Sequence, residues 1–407
     1  MISLSLTQSL LACCLVLLGG RFLTKRVSFL ARYSVPDSIV GGLIFAIITQ
    51  ALAAFGGIQI YLETTIKPTF LLLFFGCIGL TADLKLLARG GSRLIALLLV
   101  LVPFLFLQNI VGLSLAYLLD MHPLMGLIGG TITLVGGHGT GAAYAARFAD
   151  INNIQNITAL AMTSATIGLV FGGVLGGPIS EWLIKKHKII TPFESGEYNE
   201  ADKLPKKDTI EIKPSTESPD FITSLCAALI TLAAGSYLSK LLGSNAISLP
   251  NFLWCLGVGI LIRNIGPFVK LKLNDKATEI LGTVMLSLFL GFTMMTLDLA
   301  SAAKLAGPLA FILLIQSIVC SLYCCLVVFK ALKRDYEATV MSGAFCGIGL
   351  GTTATAIANM QAITNRHGHA PQAFIVIPLT GAFLVDIMNV IVLTTMISLP
   401  FIGGSII

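Results

Sequence analysis

Long apolar runs separated by short polar segments repeat along the whole chain, and each run predicts a membrane-crossing helix. A helix needs about 20 apolar residues to cross about 30 Å of hydrocarbon. Ten runs come close to or exceed that length, at residues 4–23, 38–55, 69–87, 93–118, 158–184, 219–241, 250–268, 278–299, 305–331 and 373–399. The pattern therefore predicts an all-α polytopic membrane protein.

The composition supports this prediction. Of the 407 residues, 56% are hydrophobic and only 11% are charged, whereas charged residues make up about a quarter of a soluble domain. The first apolar run has no basic segment before it and is followed by Arg21, Lys25 and Arg26, which favours an uncleaved span over a signal peptide. The nine cysteines show no CxxC or zinc-ligand spacing and are interpreted as small packing residues. The basic residues form no patch with interleaved aromatics, so no nucleic-acid partner is expected.

Two further stretches, at about 124–147 and 338–362, are apolar but rich in glycine. They contain the sequences LVGGHGTGAAYA and AFCGIGLGTTATA, in which glycines recur at alternate positions. We call these two sequences the glycine ladders. Glycine inside a helix costs about 0.5–1 kcal/mol relative to alanine, so two such ladders in apolar segments indicate a special backbone or a ligand.

The placement of positive charge predicts how the two ladder segments cross the membrane. If the N-terminus is outside and each ladder segment enters and leaves by the same face, all Lys and Arg residues lie inside except Lys67, Arg147, Lys240 and Lys304. That is the positive-inside rule. If each segment crossed completely, the Lys-rich stretch 185–218 would fall outside. The charges therefore favour two re-entrant hairpins, with both termini in the periplasm and that stretch in the cytoplasm.

The two halves of the chain resemble each other in the order of their motifs. VPDSIVGGLI is matched by LPNFLWCLGVGIL, Asp83 by Asp298, Gln108 by Gln316, and the first ladder by the second. A unit of five crossings places its second copy upside down relative to the first. The sequence therefore predicts an inverted repeat of two five-span halves, each with a re-entrant glycine-rich hairpin, as in secondary transporters.

Three segments follow from the repeat. Residues 1–184 form the N-terminal transmembrane repeat, and residues 219–407 form the C-terminal inverted repeat. Between them, residues 185–218 are rich in Lys, Glu, Pro and Ser, which is typical of a linker without a packed core.

If the two hairpins enter from opposite faces, their tips meet near the membrane midplane. Exposed N–H groups there can bind a carboxylate, and freed carbonyl groups can bind a small cation. The alternative is that the glycines only permit close helix packing. The predicted substrate-binding residues are the ladder glycines and the polar groups beside them: Gly137, Gly139, Thr140, Gly141, Gly347, Gly349, Gly351, Thr352, Thr353, Thr355 and Asn359.

Asp386 lies at the centre of the last apolar run. A carboxylate at that depth costs about 2.5–3.5 kcal/mol on insertion scales, so it is expected to face the bundle interior. Asn389, three residues later, lies on the same helical face. Asp386, Asn389 and Thr133 are predicted to bind an ion, and the alternative for the Asp–Asn pair is a buried polar contact that fixes helix packing. His138 in the first ladder is expected to be a hydrogen-bonded structural residue.

The motifs GGHGTGAAYA, GIGLGTTATAIANMQAIT and PLTGAFLVDIMNVIV, with VPDSIVGGL near the start, resemble the bacterial glutamate:sodium symporter (ESS) family over essentially the whole chain. The resemblance implies a homodimeric inner-membrane transporter that imports L- and D-glutamate with Na+ as coupling ion, by an elevator-like movement and without a cofactor. One departure is Ala354, where members of the family have proline. The residues to which the family's site carries over are Gly136–Gly141, Gly347–Gly351, Thr352, Thr353, Thr355, Asn359, Asp386 and Asn389.

Other function classes fit the sequence less well. The residues alone leave open whether sodium or protons drive transport, and whether the substrate is glutamate, another dicarboxylate or another amino acid. LVGGHG faintly resembles the carbonyl-lined filter of an ion channel, but two unlike ladders and an off-axis Asp386 favour a separate site in each protomer. No Ser–His, Cys–His or twin-Asp pair is visible at membrane depth, so an intramembrane enzyme is not predicted.

Overall fold

The computed structural model of the protein describes residues 2–27, 36–85, 91–152, 157–194, 217–242, 250–269, 271–297 and 299–399. This part of the chain is almost entirely helical, with one short parallel pair of strands, β1 (Ile2–Leu4) and β2 (Ile60–Leu62). Within it, 8 helices are long and apolar enough to cross a membrane. The protein is therefore a polytopic all-α membrane protein, as the apolar runs predict.

The helices of the first half are α1 (Leu6–Arg26), α2 (Asp37–Gly56), α3 (Lys67–Thr81), α4 (Gly91–Leu118), α5 (Pro123–Leu127) with a π-helix (Ile128–Ile132), α6 (Gly137–Asn152) and α7 (Ile157–His187). Those of the second half are α8 (Ser218–Leu242), α9 (Asn251–Ile265), α10 (Asp275–Met295), α11 (Leu299–Tyr323) with a π-helix (Cys324–Val328), α12 (Phe329–Ala331), α13 (Tyr336–Leu350), α14 (Thr353–His367), α15 (Pro371–Leu379) with a π-helix (Thr380–Leu384) and α16 (Val385–Ile397). A 3-10 turn (Gly266–Val269) extends α9.

In both halves, a pair of helices joined by a short turn follows the fourth apolar helix and precedes the last one. We call residues 123–152 hairpin 1 and residues 336–367 hairpin 2. The two hairpins contain the two glycine ladders, so the ladders occupy the same place in the element order of each half.

Two of the ten predicted spans differ from the helices that form. The third is the 15-residue α3, which ends where Ala82 leaves the helical conformation (φ −78°, ψ 79°), and the Asn264 amide donates to the Ala82 carbonyl at 2.9 Å. The tenth is interrupted by the π-helix between α15 and α16. Pro378 lies just before that π-helix, and proline removes one backbone donor and crowds the preceding turn.

The predicted linker is described only at its two ends. Helix α7 continues to His187, the described chain stops at Glu194, and it resumes at Glu217. The remainder of the linker lies outside the described residues, as does Asp298 of the repeat alignment.

The described helices pack as two bundles. Bundle 1 consists of α1, α2, α3, α8, α9 and α10, and bundle 2 consists of α4 to α7 and α11 to α16. The halves of the chain interlock in bundle 1, because α2 packs on α10 while α3 packs on α9. Between the bundles, α6 contacts α10 and the π-helix Thr380–Leu384 contacts α3. Both hairpins therefore belong to the same bundle.

Small residues let α3 and α9 cross in close contact. A Cβ added to Gly259 would lie 2.6 Å from the Gly76 carbonyl oxygen and 2.9 Å from the Gly79 Cα. Gly257, on the same helix, has nothing within 4 Å of the place where its Cβ would stand. The crossing therefore depends on Gly259 and not on glycine content in general.

We expect Gly259→Ala to destabilise the protein by about 1–3 kcal/mol, because the added methyl group forces two helix backbones apart. Gly257→Ala is the matched control and should be neutral, since its methyl group enters open space. The apparent melting temperature of each purified variant in detergent measures the difference. Equal melting temperatures for the two variants would contradict the close crossing.

Candidate functional site

Hairpin 1 turns at two glycines. Gly130 interrupts the π-helix with a non-helical backbone conformation (φ −105°, ψ −139°). Gly137 opens α6 with φ +62°, a left-handed conformation that glycine adopts without the steric cost of a Cβ. The turn between them is almost wholly buried, so its backbone runs through the interior of bundle 2.

Hairpin 2 turns over only two residues. Gly351 (φ −152°, ψ −106°) ends α13, and the Thr352 side chain caps α14 by accepting from the Thr355 N–H at 3.4 Å. The Thr352 and Thr355 hydroxyls are 3.1 Å apart. At the other end of the hairpin, Asp335 caps α13 and accepts two hydrogen bonds from Arg93 at 2.5 and 3.1 Å, a bidentate pair that fixes where the hairpin begins.

The tips of the two hairpins lie against each other. A Cβ added to Gly137 would be 3.9 Å from the Thr352 Cγ2 atom. Each tip begins a helix, α6 on one side and α14 on the other. The N–H groups of the first turn of a helix have no partner within that helix, so two sets of backbone donors converge at this contact.

The last helix of the first half contacts both hairpins. The Thr166 hydroxyl on α7 lies 3.1 Å from His138 Nε2 of hairpin 1. Two turns further on, a Cβ added to Gly172 would lie 3.5 Å from the Gly347 carbonyl oxygen of hairpin 2. His138 is buried and hydrogen-bonded, as expected for a structural histidine.

The last helical segment of the second half, from α15 to α16, also contacts both hairpins. The Thr353 hydroxyl of hairpin 2 donates to the Gly381 carbonyl oxygen at 2.8 Å. The Asn389 amide donates to the Thr131 carbonyl oxygen of hairpin 1 at 3.1 Å. In the sequence Asn389 follows the second ladder, but in the structure it holds the first hairpin.

Most ladder glycines lie inside helices and serve close packing. A Cβ on Gly347 would lie 2.7 Å from Ala356, one on Gly349 2.8 Å from Phe104, one on Gly139 2.6 Å from Phe74, and one on Gly141 3.0 Å from Thr133. Among the ladder glycines, Gly136, Gly137 and Gly351 stand at the turns. The two interpretations of the ladders, turn and packing, therefore divide between different residues of the same motif.

Three predicted polar residues are engaged in holding the hairpins. The Thr133 hydroxyl donates to the Ile128 carbonyl oxygen at 2.6 Å. The Asn359 amide donates to the Gly172 and Gly343 carbonyl oxygens at 2.9 and 3.3 Å. Thr140 is buried, with its side chain against Gly136.

Two adjacent amides on α4 each hold a different hairpin. Gln108 donates to the Gly349 carbonyl oxygen at 2.9 Å. Asn109 Oδ1 accepts from the Thr131 N–H and hydroxyl, both at 3.0 Å. Gln316 on α11 donates to the Gln108 carbonyl oxygen at 2.8 Å. Sequence analysis missed Asn109 as a site residue, although an amide in a long apolar run is itself a signal that could have identified it.

Asp386 stands in the first turn of α16 and is partly buried. Among the described residues, nothing hydrogen-bonds to its carboxylate or forms an ion pair with it. Asn389 lies one turn later, fully buried, and its Oδ1 has no hydrogen-bond partner in the described part of the chain. Two oxygen acceptors beside hairpin 1 are thus uncommitted on one face of α16.

A cavity of about 420 Å³ lies between α7 and α14. Thr355 and Asn359 line its end near the hairpin 2 tip, and Glu181 and Arg366 line its other end. Arg366 follows Thr355 by eleven residues along α14, which corresponds to about 16 Å of helix. The walls in between include four small residues and four larger apolar ones: Gly173, Gly177, Ala358 and Ala362, and Leu169, Val174, Pro178 and Ile363.

Charged groups surround the outer end of this cavity. Glu181 Oε1 lies 3.0 Å from His367 Nε2 and 3.5 Å from Arg366 Nη1. The Arg366 side chain is 72% exposed, so its guanidinium can exchange one anionic partner for another. The cavity therefore combines a mouth lined by the Arg366–Glu181 ion pair with hydroxyl and amide groups at its inner end.

Comparison with known proteins gives consistent matches over the chain. Residues 2–369 match the sequence model of the family described as sodium/glutamate symporter. The chain is 37% identical over 383 residues to the sodium/glutamate symporter of Haemophilus influenzae, covering 94% of each chain. It is 38% identical over 414 aligned positions to those of Escherichia coli and Shigella flexneri, covering 99% of this chain and 100% of each relative.

We expect Asn109→Leu to loosen hairpin 1, because the two Thr131 donors lose their buried acceptor at a cost of about 1–3 kcal/mol. Amide hydrogen exchange of the peptides around the turn should accelerate by roughly tenfold or more. Gln50→Leu is the control, since it removes an amide that donates to the Leu297 carbonyl oxygen at 2.7 Å in bundle 1. Faster exchange of hairpin 1 in both variants would show a general loss of stability and not a local one.

Proposed function

The chain belongs to the sodium/glutamate symporter family, and we propose that it imports glutamate across the bacterial inner membrane, driven by sodium. Family membership follows from the model match over most of the chain and from relatives at 37% and 38% identity. The protein is accordingly a multi-pass membrane transporter and not an enzyme. Glutamate and sodium are the ligands in the names of those relatives.

The observation that carries the proposal is the contact between the two hairpin tips. Helix N-termini attract carboxylates through their free N–H groups and their dipole. The α-carboxylate of glutamate binds between Gly137 and Thr352, where α6 and α14 begin. Gly351, Thr353 and Thr355 complete this site from hairpin 2. The remaining predicted residues, among them Gly139, Gly347 and Asn359, act by keeping the hairpins in shape.

Sodium binds beside hairpin 1. A small hard cation prefers oxygen ligands, and the Asp386 carboxylate and Asn389 Oδ1 are uncommitted oxygens on one helical face. The Thr133 hydroxyl, which donates its proton to Ile128, keeps lone pairs for a cation. A cation at this position offsets the cost of a carboxylate inside the membrane. Because Asn389 also holds hairpin 1, ion binding and substrate binding affect the same hairpin.

The cavity between α7 and α14 is the path between the hairpin tips and the cytoplasm. Arg366 at its mouth binds a carboxylate of glutamate on its way between the hairpin tips and the cytoplasm, since about 16 Å of helix separates Thr355 from Arg366. Glu181 competes for the same guanidinium in the empty protein. Arginine suits this role because it binds carboxylates through two parallel donors. A neutral amino acid has only its α-carboxylate and no side-chain carboxylate with which to displace Glu181.

Transport follows an elevator-like movement of bundle 2 relative to bundle 1. Both hairpins and both last helices belong to bundle 2, so the binding residues move together. The shared element order of the halves and their crossed packing in bundle 1 support an inverted repeat with re-entrant hairpins. In this arrangement both termini are periplasmic, the linker is cytoplasmic, and two copies form a homodimer.

Uptake of radiolabelled L-glutamate into liposomes containing the purified protein tests the proposal. Uptake is expected with an inward sodium gradient and not with an equal potassium gradient. Uptake with a pH gradient alone would show that protons, and not sodium ions, drive transport. If no gradient drives glutamate uptake, the assignment of glutamate as the substrate is wrong. Other dicarboxylates and amino acids would then be tested.

We expect Asp386→Asn to lower sodium-driven uptake by roughly tenfold or more at low sodium, because the cation loses a charged ligand in a medium of low dielectric constant. Raising the sodium concentration should restore part of the rate. Asp120→Asn is the matched control, since Asp120 lies in a turn at φ +53°, a conformation that asparagine also tolerates. An unchanged sodium dependence in Asp386→Asn would exclude the proposed ion site.

We expect Arg366→Gln to raise the KM for glutamate on the cytoplasmic side by roughly tenfold, with kcat little changed, because a charge-assisted contact made there is lost. Efflux of preloaded glutamate from right-side-out proteoliposomes measures this KM. Glu181→Gln should lower KM, since it removes the competing carboxylate. Arg334→Gln is the control, because Arg334 is an exposed arginine close to the start of hairpin 2. A fall in kcat without a change in KM would assign Arg366 to another step.

A further inference from the structure

Three cysteines meet where α13 crosses the end of α11. Cys320 lies on α11, Cys324 opens the π-helix that continues it, and Cys346 lies on α13. All three are fully buried, and their sulfur atoms lie within 4.8 Å of one another. All three are free thiols. The spacing i, i+4 places the first two on one helical face, and the crossing helix supplies the third.

We propose that Cys320, Cys324 and Cys346 form a tris-thiolate site for a thiophilic trivalent metalloid such as arsenic(III). The geometry supports a trigonal centre. Trivalent arsenic keeps a lone pair, so its three ligands form a pyramid, and with bonds to sulfur of about 2.3 Å and angles of about 100° they stand about 3.5 Å apart. The three sulfurs, which lie within 4.8 Å of one another, reach that arrangement by closing in by at most about 1.3 Å.

The surroundings decide which kind of ion fits. Within the described residues, the group of potential ligands contains these three sulfurs and no histidine or carboxylate, so the fourth ligand of a tetrahedral zinc site is missing. Three thiolates around a monovalent or divalent cation leave a net negative charge. A net charge without a partner is costly in an apolar interior. Three thiolates around arsenic(III) form a neutral complex, which avoids that cost.

The reaction is a ligand exchange and needs no oxidant or reductant. Arsenous acid, As(OH)3, reacts with three thiols to give As(SR)3 and three molecules of water. Three As–O bonds break and three As–S bonds form. Each thiol proton leaves with one hydroxide, and arsenic stays in the trivalent state. Arsenous acid is itself uncharged near neutral pH, so the reagent can enter an apolar region.

The site lies directly against hairpin 2. A Cβ added to Gly349 would be 3.2 Å from the Cys320 sulfur, and the Gly349 carbonyl oxygen accepts the hydrogen bond from Gln108. A bound metalloid therefore cross-links α13 of the hairpin to α11. This contact involves no residue of the proposed sodium site.

The test measures arsenic bound to the purified full-length protein after incubation with arsenite and removal of free reagent. We expect about one arsenic atom per chain, and a loss of most of it in Cys320→Ser, Cys324→Ser and Cys346→Ser. Two matched controls should bind like the unaltered protein: Cys255→Ser, a fully buried cysteine elsewhere, and Cys325→Ser, the neighbour of Cys324 in sequence.

X-ray absorption at the arsenic edge of the unaltered protein gives a second measurement that needs no variant. Three sulfur neighbours are expected. Two sulfur neighbours in the absorption measurement would overturn the proposal. So would a protein that retains no arsenic, or a loss of bound arsenic in Cys255→Ser equal to that in the three cluster variants. Neither measurement uses glutamate uptake, so a failure of this site and a failure of the transport function are separate results.

Discussion

Every backbone polar group inside an apolar bundle must find a hydrogen-bond partner, and the two hairpins make this requirement acute because they interrupt helices in the interior. The chain meets it with amide side chains. Gln108 and Asn109, adjacent on α4, hold hairpin 2 and hairpin 1 respectively. Asn389 holds hairpin 1 from α16, and Asn359, within hairpin 2, ties that hairpin to the Gly172 carbonyl oxygen on α7. Because one short stretch of α4 holds both hairpins, their tips have a fixed relation within bundle 2, and a shared ligand site at their contact requires that relation.

Close approach of helices makes these amide contacts possible. An amide side chain is short, so it reaches a carbonyl on a neighbouring helix only where small residues let the backbones come near. Gly176 on α7 provides this space for Asn359 and Gly343, and Gly172 on the same helix provides it for the backbone of Gly347 and Gly351. The same residue type therefore has two functions in the ladders. Gly137 provides a left-handed turn, whereas the glycines inside the helices provide room.

Charge distribution and hydrogen bonding together single out Asp386. Ion pairs such as Arg93 with Asp335 and Arg263 with Asp275 lie at helix ends, where water and the opposite charge stabilise both groups. Asp386 has no such partner among the described residues. A carboxylate kept without a partner beside the unmatched oxygen of Asn389 is costly unless a cation joins it. The proposed sodium site explains why the chain keeps an unpaired carboxylate at this position.

The sequence by itself determined the membrane class, eight of the ten spans, the two hairpin segments and the placement of Asp386 and Asn389 on one helical face. These features are local, because apolar length, charge asymmetry and a polar residue in an apolar run can be read within one segment. Only the tertiary structure decided which groups meet. Asn389 donates to Thr131 across 258 residues, and Gln108 donates to Gly349 across 241. The cysteine cluster, the cavity and the division of the ladder glycines between turns and packing depend on such distant contacts, which no spacing within a segment specifies.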